Sequence, residues 1–333
     1  MKRFVQLICW VVLTSLSGIV AAIQEPAALT QQPARTSPFA SAASILAATS
    51  AGARQVAVGD QGTVLLSDDD GRSFRQASSV PTRVTLTSVS FADPKHGWAV
   101  GQWGTILVTE DGGENWRLQR TDTSTDRPLF AIHAIDRQRA VAVGLWSLVL
   151  VTGDGGQTWQ ARQPPAPPDG GRADRNLLGM FAHGDDIYVP AERGLVLTSA
   201  DGGNTWRYLD TGYRGSLWAG IALDDGVLLV GGLRGSVYRS EDRGDTWQAI
   251  DVGTTSSITD FADSAQGVVA VALDGVVLRS TDGGVRFSVA QRDDRAALTA
   301  VLTSESGRTV GFSKRGVVDD LLPQASRTPA GRP

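Results

Sequence analysis

The sequence predicts an all-β protein, a seven-bladed β-propeller with four-stranded antiparallel blades. Three observations lead there. A corner of the form Ser/Thr-x-Asp-x-Gly-x-x-aromatic occurs six times, its aspartates separated by 42, 43, 47, 41 and 40 residues. A second pattern, two Val-rich runs joined by a tight turn, occurs seven times: once before each corner and once more near residue 310. The composition, with 38 Gly and 9 Trp, suits short strands and tight turns. A period near 42 residues accommodates four strands of five or six residues with their turns, and such a repeat is one propeller blade.

From the N-terminus, Lys2 and Arg3 precede an almost wholly apolar stretch, residues 4–20, and small residues end at Ala22. This is the pattern of a secretory signal peptide over residues 1–22. An uncleaved anchor is the competing reading, because a stretch of this length lies at the lower end of what spans a bilayer. The single cysteine, Cys9, falls inside the leader, so residues 23–333 carry none. Disulfides, thiolate metal sites and cysteine catalysis are thereby excluded from the mature chain, and stability must come from a packed core. Residues 23–38 are expected to supply a ring-closing strand for the last blade. Pro26, Pro33 and Pro38 restrict that strand to an outermost position. The propeller is placed over residues 39–322, and residues 323–333, PQASRTPAGRP, read as a disordered tail.

The paired runs cover residues 56–67, 98–109, 141–152, 188–199, 228–240, 268–280 and 309–320. Each reads as a hairpin, and a further strand precedes it, as in 86–93, 258–264 and 298–304. Corners follow at Ser67, Thr109, Thr152, Ser199, Ser240 and Ser280, and the last blade lacks one. A Pro-rich insertion at 162–171 accounts for the one long interval. Within a corner the aspartate (Asp69, Asp111, Asp154, Asp201, Asp242 or Asp282) is placed to accept backbone N–H groups. The glycine two residues on takes a positive φ. The aromatic then folds back, which makes Trp116, Trp159, Trp206 and Trp247 core residues. Calcium would need several further oxygen ligands that the corners do not supply.

Chemistry is sparse in this chain. A formal net charge of -4 argues against nucleic-acid binding, which calls for a basic stripe. Glycoside hydrolysis needs two carboxylates, yet of the six glutamates only Glu192 falls on a candidate functional loop, with Asp60 and Asp274 in comparable turns. His96, His133 and His183 lack metal-ligand spacing, and no nucleophile elbow is present. No catalytic residue, metal or cofactor is assigned. The turns between the second and third strands of each blade lie on the face opposite the corners, and loops carry function more often than strands. Their tip residues run Gln61, Trp103, Trp146, Arg193, Arg234, Asp274 and Arg315. Trp and Arg are enriched in binding hot spots, and a guanidinium pairs bidentately with carboxylates, so Trp103, Trp146, Arg193, Arg234 and Arg315 are the expected partner-binding residues.

The corners resemble Asp-boxes, the bacterial neuraminidase repeat. The longer run SVSFADPKHGWAVGQWGTILVTEDGGENW, from strand through turn to corner, resembles more specifically the photosystem II assembly and stability factor family, over about residues 39–320. The resemblance implies an exported, non-catalytic propeller that binds a membrane protein or envelope complex through a basic patch. The client in photosynthetic members is a reaction-centre subunit. It implies a periplasmic or extracytoplasmic location, lumenal in a photosynthetic host, and a monomer. Two other readings stay open: a sialidase-like glycoside hydrolase acting through Glu192, and a structural accessory subunit of an envelope transport complex.

Overall fold

The computed structural model describes residues 29–168, 170–318 and 320–321. The expected leader over 1–22 and tail over 323–333 lie outside the described residues. Blade 1 comprises Ile45–Ala51, Arg54–Gly59, Val64–Ser67 and Arg75–Gln76, and blade 2 Leu86–Phe91, Gly97–Gly101, Ile106–Thr109 and Arg117–Arg120. Blade 3 is Leu129–Ala134, Ala140–Gly144, Val149–Thr152 and Gln160–Arg162; blade 4 is Phe181–His183, Asp186–Pro190, Leu195–Ser199 and Arg207–Asp210. Blade 5 is Leu217–Ala222, Leu228–Gly232, Val237–Ser240 and Gln248–Ile250; blade 6 is Ile258–Ala262, Val268–Ala272, Val276–Ser280 and Ser288–Gln291. Blade 7 has Leu298–Thr303, Thr309–Ser313 and Gly316–Val318. Strands pair in chain order within each sheet. The first strands of neighbouring blades pack against each other, which puts them innermost around the axis.

Burial explains the repeated Val-rich runs. The second strands Gly97–Gly101, Ala140–Gly144 and Val268–Ala272 are buried at every position. Each is covered on both faces by neighbouring blades, so it reads as a continuous apolar run and not as an alternation. The glycine ending such a run has a packing reason: a Cβ on Gly101 would sit 2.1 Å from the Thr85 carbonyl oxygen.

Among the described residues no ring-closing strand comes from the expected segment 23–38, of which residues 23–28 lie outside them. Blade 7 has three strands among the described residues, and the described part of that segment, residues 29–38, contains no strand. It lies instead against blade 1 and the following connector: Ser37 N donates to Gln76 Oε1 at 3.0 Å, Ala34 N to the Val80 carbonyl at 2.9 Å, and Arg83 N to the Leu29 carbonyl at 3.0 Å. Pro33 and Pro38 have no N–H to give a ladder, and side-chain and connector partners serve such a segment better than a strand edge. The ring closes by packing. Thr299 Oγ1 donates to the Ile45 carbonyl at 2.5 Å, and Phe74 meets Phe312 edge-on with centroids 5.6 Å apart.

Candidate functional site: the face of the second-to-third-strand turns

Six of the turns share one backbone shape. Gln61, Trp103, Trp146, Arg193, Arg234 and Asp274 all have φ between 53° and 60°, and the next residue is also left-handed, a glycine in five cases and Ser147 in the sixth. Two consecutive left-handed residues make the two-residue hairpin turn whose twist matches the strands. Tight packing reinforces the requirement, since a Cβ on Gly235 would lie 2.1 Å from the Thr254 carbonyl oxygen of the adjoining connector. The turn thereby pins its second residue to the connector and thrusts its first outward. Gln61, Trp146, Arg193, Arg234, Asp274 and Arg315 are exposed.

These tips are not equivalent. Trp146, 56% exposed, and Arg193 open onto one depression of about 590 Å³ between blades 3 and 4, lined also by Arg172, Asp174, Arg175, Asn176, Glu192 and Arg214. Arg172 and Arg214 are exposed. Both carboxylates of the depression are engaged. Asp174 Oδ1 accepts from the buried Arg175 Nη1 at 2.7 Å, and Glu192 accepts from Asn176 N at 3.0 Å and Asn176 Nδ2 at 2.9 Å. Four guanidinium groups against two carboxylates leave the depression electropositive. Asn176 Oδ1 in turn accepts from Trp146 N at 3.1 Å, which locks the Trp146 turn to the connector.

Glu192 thus braces Asn176 of the connector. Trp103 is half-buried and packs against the cluster between blades 1 and 2, outside the depression that Trp146 lines. Arg234 and Arg315 lie on the same rim but outside the depression. Asn176 escaped sequence reasoning; the signal was the Pro-rich insertion, because the connector it lengthens forms one wall of the site.

On the opposite face the corners are self-satisfied. In each, the leading Ser or Thr hydroxyl donates to the aspartate at 2.8–2.9 Å. The residue four after the aspartate donates both its backbone N–H and a side-chain group to it, as Thr158 does to Asp154 at 2.9 and 2.6 Å. The six glycines Gly71, Gly113, Gly156, Gly203, Gly244 and Gly284 have φ of 76° to 89°. Hydrogen bonds from Ser73, Thr158 and Thr246 side chains, and from the Arg286 backbone and guanidinium, pull Asp69, Asp154, Asp242 and Asp282 down to about 2. Donors crowd these carboxylates where a cation would need oxygens. Trp116 is buried, but Trp159, Trp206 and Trp247 are only half-buried. They pack against the edges of the clusters between blades. His96 bonds Asp93 at 3.0 Å, and His133 lines the axis with Asp260. Among the described residues no three His, Cys, Asp or Glu side chains are grouped to hold a metal, and no helix is long and apolar enough to cross a membrane.

The sequence matches the family described as photosynthesis system II assembly factor YCF48 over residues 76–138 and 119–318. No curated protein matches it. Among solved structures, the fold is similar to "YCF48 bound to D1 peptide" (19% identity, TM-score 0.68, covering 86% of this chain and 94% of that one). It is similar also to YCF48 from Cyanidioschyzon merolae (17%, 0.66, 85% and 97%) and to the RRP9 WD40 repeats (12%, 0.62, 86% and 95%).

Proposed function

This chain belongs to the photosynthesis system II assembly factor YCF48 family, and from that premise we propose that it is a non-catalytic assembly factor capturing an extended, carboxylate-bearing segment of a membrane-protein client. The observation that carries this reading is the meeting of the exposed Trp146 with Arg172, Arg193 and Arg214 in one open depression. An indole gives a rigid apolar platform, and guanidinium groups give charge and paired donors to carboxylates. A peptide laid there buries the indole and exchanges water for charge-assisted bonds. The similar structure holding a D1 peptide supports a peptide-sized ligand. Arg234 and Arg315, farther round the rim, would extend the contact to a longer client. An apolar leader over residues 1–22 supports export, with the client met at an extracytoplasmic membrane face.

The test has two arms. In the first, a fluorescently labelled D1 peptide is titrated against the wild type and against Trp146→Ala and Arg193→Ala, with circular dichroism checking the fold. In the second, crosslinked capture from the host's membranes compares the same proteins. We expect one membrane protein captured by the wild type and lost with both variants, and peptide affinity at least tenfold weaker in each, the loss typical of a hot-spot residue. Equal capture by folded variants would remove the depression from the function.

A further inference from the structure

Along the axis the innermost strands enclose a channel of about 280 Å³, whose lining includes Thr87, Ser88, His133, Thr259, Asp260 and Thr299. Thr87, Thr259 and Thr299 each fall at a break in strand register, between Leu86 and Ser88, Ile258 and Asp260, and Leu298 and Ala300. A bulge re-aims its side chain, and here each hydroxyl reaches the next blade. Thr87 Oγ1 donates to the Leu129 carbonyl at 2.7 Å, Thr259 Oγ1 to the Leu298 carbonyl at 3.1 Å, and Thr299 Oγ1 to that of Ile45 at 2.5 Å. A hydroxyl has one proton. With it committed to the backbone, each threonine offers only lone pairs to anything in the channel.

Asp260 stands one residue beyond such a threonine. Its Oδ2 accepts from Val301 N of blade 7 at 2.9 Å, and Oδ1 accepts from Phe261 N at 2.9 Å. At the matching position blade 2 carries Ser88, whose Oγ accepts from Ile132 N of blade 3 at 3.3 Å. A neutral hydroxyl therefore suffices for the bridge, and a carboxylate exceeds what the bridge requires. No Lys or Arg lines the channel, and among the described residues Asp260 has no ion-pair partner. Blade 7 lines the channel beside it with Thr299 and gives it the Val301 amide, and blade 5 lines the channel with Trp218, Ala219 and Gly220. His133 of blade 3 is the other titratable group in the lining. Burial holds the imidazole below its usual value, so it is neutral when the carboxyl ionises. Burial pushes the Asp260 carboxyl up to about 7, against the pull of the two amide bonds. Above neutrality the channel carries one negative charge among oxygen lone pairs, with no positive side chain to answer it.

We propose that the axial channel binds a small monovalent cation, ammonium or alkali, held by the Asp260 carboxylate and the oxygens of the bulge threonines. A divalent ion would call for more charged ligands than this one carboxylate. The site is independent of the client-binding depression and stands or falls without it.

The test is thermal unfolding of the full chain at pH 8 and at pH 5. Ionic strength is fixed with N-methylglucamine chloride, which is replaced stepwise by ammonium, potassium or sodium chloride. A ligand that binds only the folded state raises Tm with its concentration, by about 3 °C at ten times Kd. We expect that rise at pH 8 with at least one salt, its loss at pH 5, and its loss in Asp260→Ser, which keeps the acceptor that blade 2 uses. A response to ammonium alone identifies an N–H donor ligand, whereas a response to potassium or sodium identifies an oxygen-coordinated ion. Carboxyl ¹³C titration of the wild type decides the matter should the variant not fold, because a bound cation must lower the Asp260 midpoint. A midpoint indifferent to all three salts, or an equal Tm response in the serine variant, overturns the proposal.

Discussion

At Asp111 one carboxylate gathers Thr109 Oγ1 at 2.9 Å, Asn115 N at 2.9 Å and Asn115 Nδ2 at 2.8 Å, and so folds the corner that seats Trp116. Asp111→Ala strands these donors. The expected loss is about 2 kcal/mol by urea unfolding, with a smaller loss for Asp111→Asn, which keeps an acceptor but not the charge. Titration adds a second test with two limbs of opposite sign. The corner aspartates Asp69, Asp154, Asp242 and Asp282 are drawn down to about 2 from an ordinary 3.8. The stability they lend is present above pH 4 and is lost as pH falls through 2. Asp260, raised to about 7, does the reverse: between pH 4 and 7 the folded state keeps a proton that the unfolded chain has released, so stability falls as pH rises and is level above that window. Urea unfolding from pH 4.5 to 8 should show the decline in the wild type and a flatter profile in Asp260→Ser. Equal slopes would mean that Asp260 does not titrate there.

At the scale of elements, the hairpin turn was legible because its chemistry is local. A Gly in the second position announces left-handed backbone, and the outward tip residue follows from that geometry alone. Gly235→Ala combines a φ of 69° with a backbone oxygen 2.1 Å from the new Cβ. We expect it to cost about 3 kcal/mol, as backbone strain at a site that cannot yield does, with the loss read from the urea midpoint. What was not legible depended on distance in sequence. The partition of the tips into one depression and a scattered rim is decided by the connector after residue 162, whose Asn176 reaches both Trp146 and Glu192. The half-burial of Trp103 depends on neighbours in blade 1. The channel threonines were hidden for the same reason: a bulge is a mismatch between two strands, and neither strand announces it alone.

The whole ring has one seam unlike the others. Blades 1 to 6 each hand the chain from an outermost strand to the next innermost strand, so covalent continuity reinforces packing. Between blade 7 and blade 1 the described residues show only non-covalent contacts: the Thr299–Ile45 bond, the Phe74–Phe312 edge contact, and a cluster that includes Ala40, Ile45, Leu65, Val310 and Phe312. The repeat in the sequence foretold seven blades and a shortened last one, but not how the circle joins, because prolines alone cannot say where a segment goes once it is barred from a sheet. Cooperative units with few partners open first, and among the described residues blade 7 has three strands where the others have four. Native-state hydrogen exchange should therefore find the amides of Leu298–Thr303 and Thr309–Ser313 opening at lower free energy than those of Leu129–Ala134 and Ala140–Gly144. Phe312 is fully buried in that seam, and Phe312→Ala should cost about 3–5 kcal/mol while widening the gap between blade 7 and blade 3. Equal protection in the two blades would place the strength of the ring in its seams and leave the smaller described sheet of blade 7 without mechanical consequence.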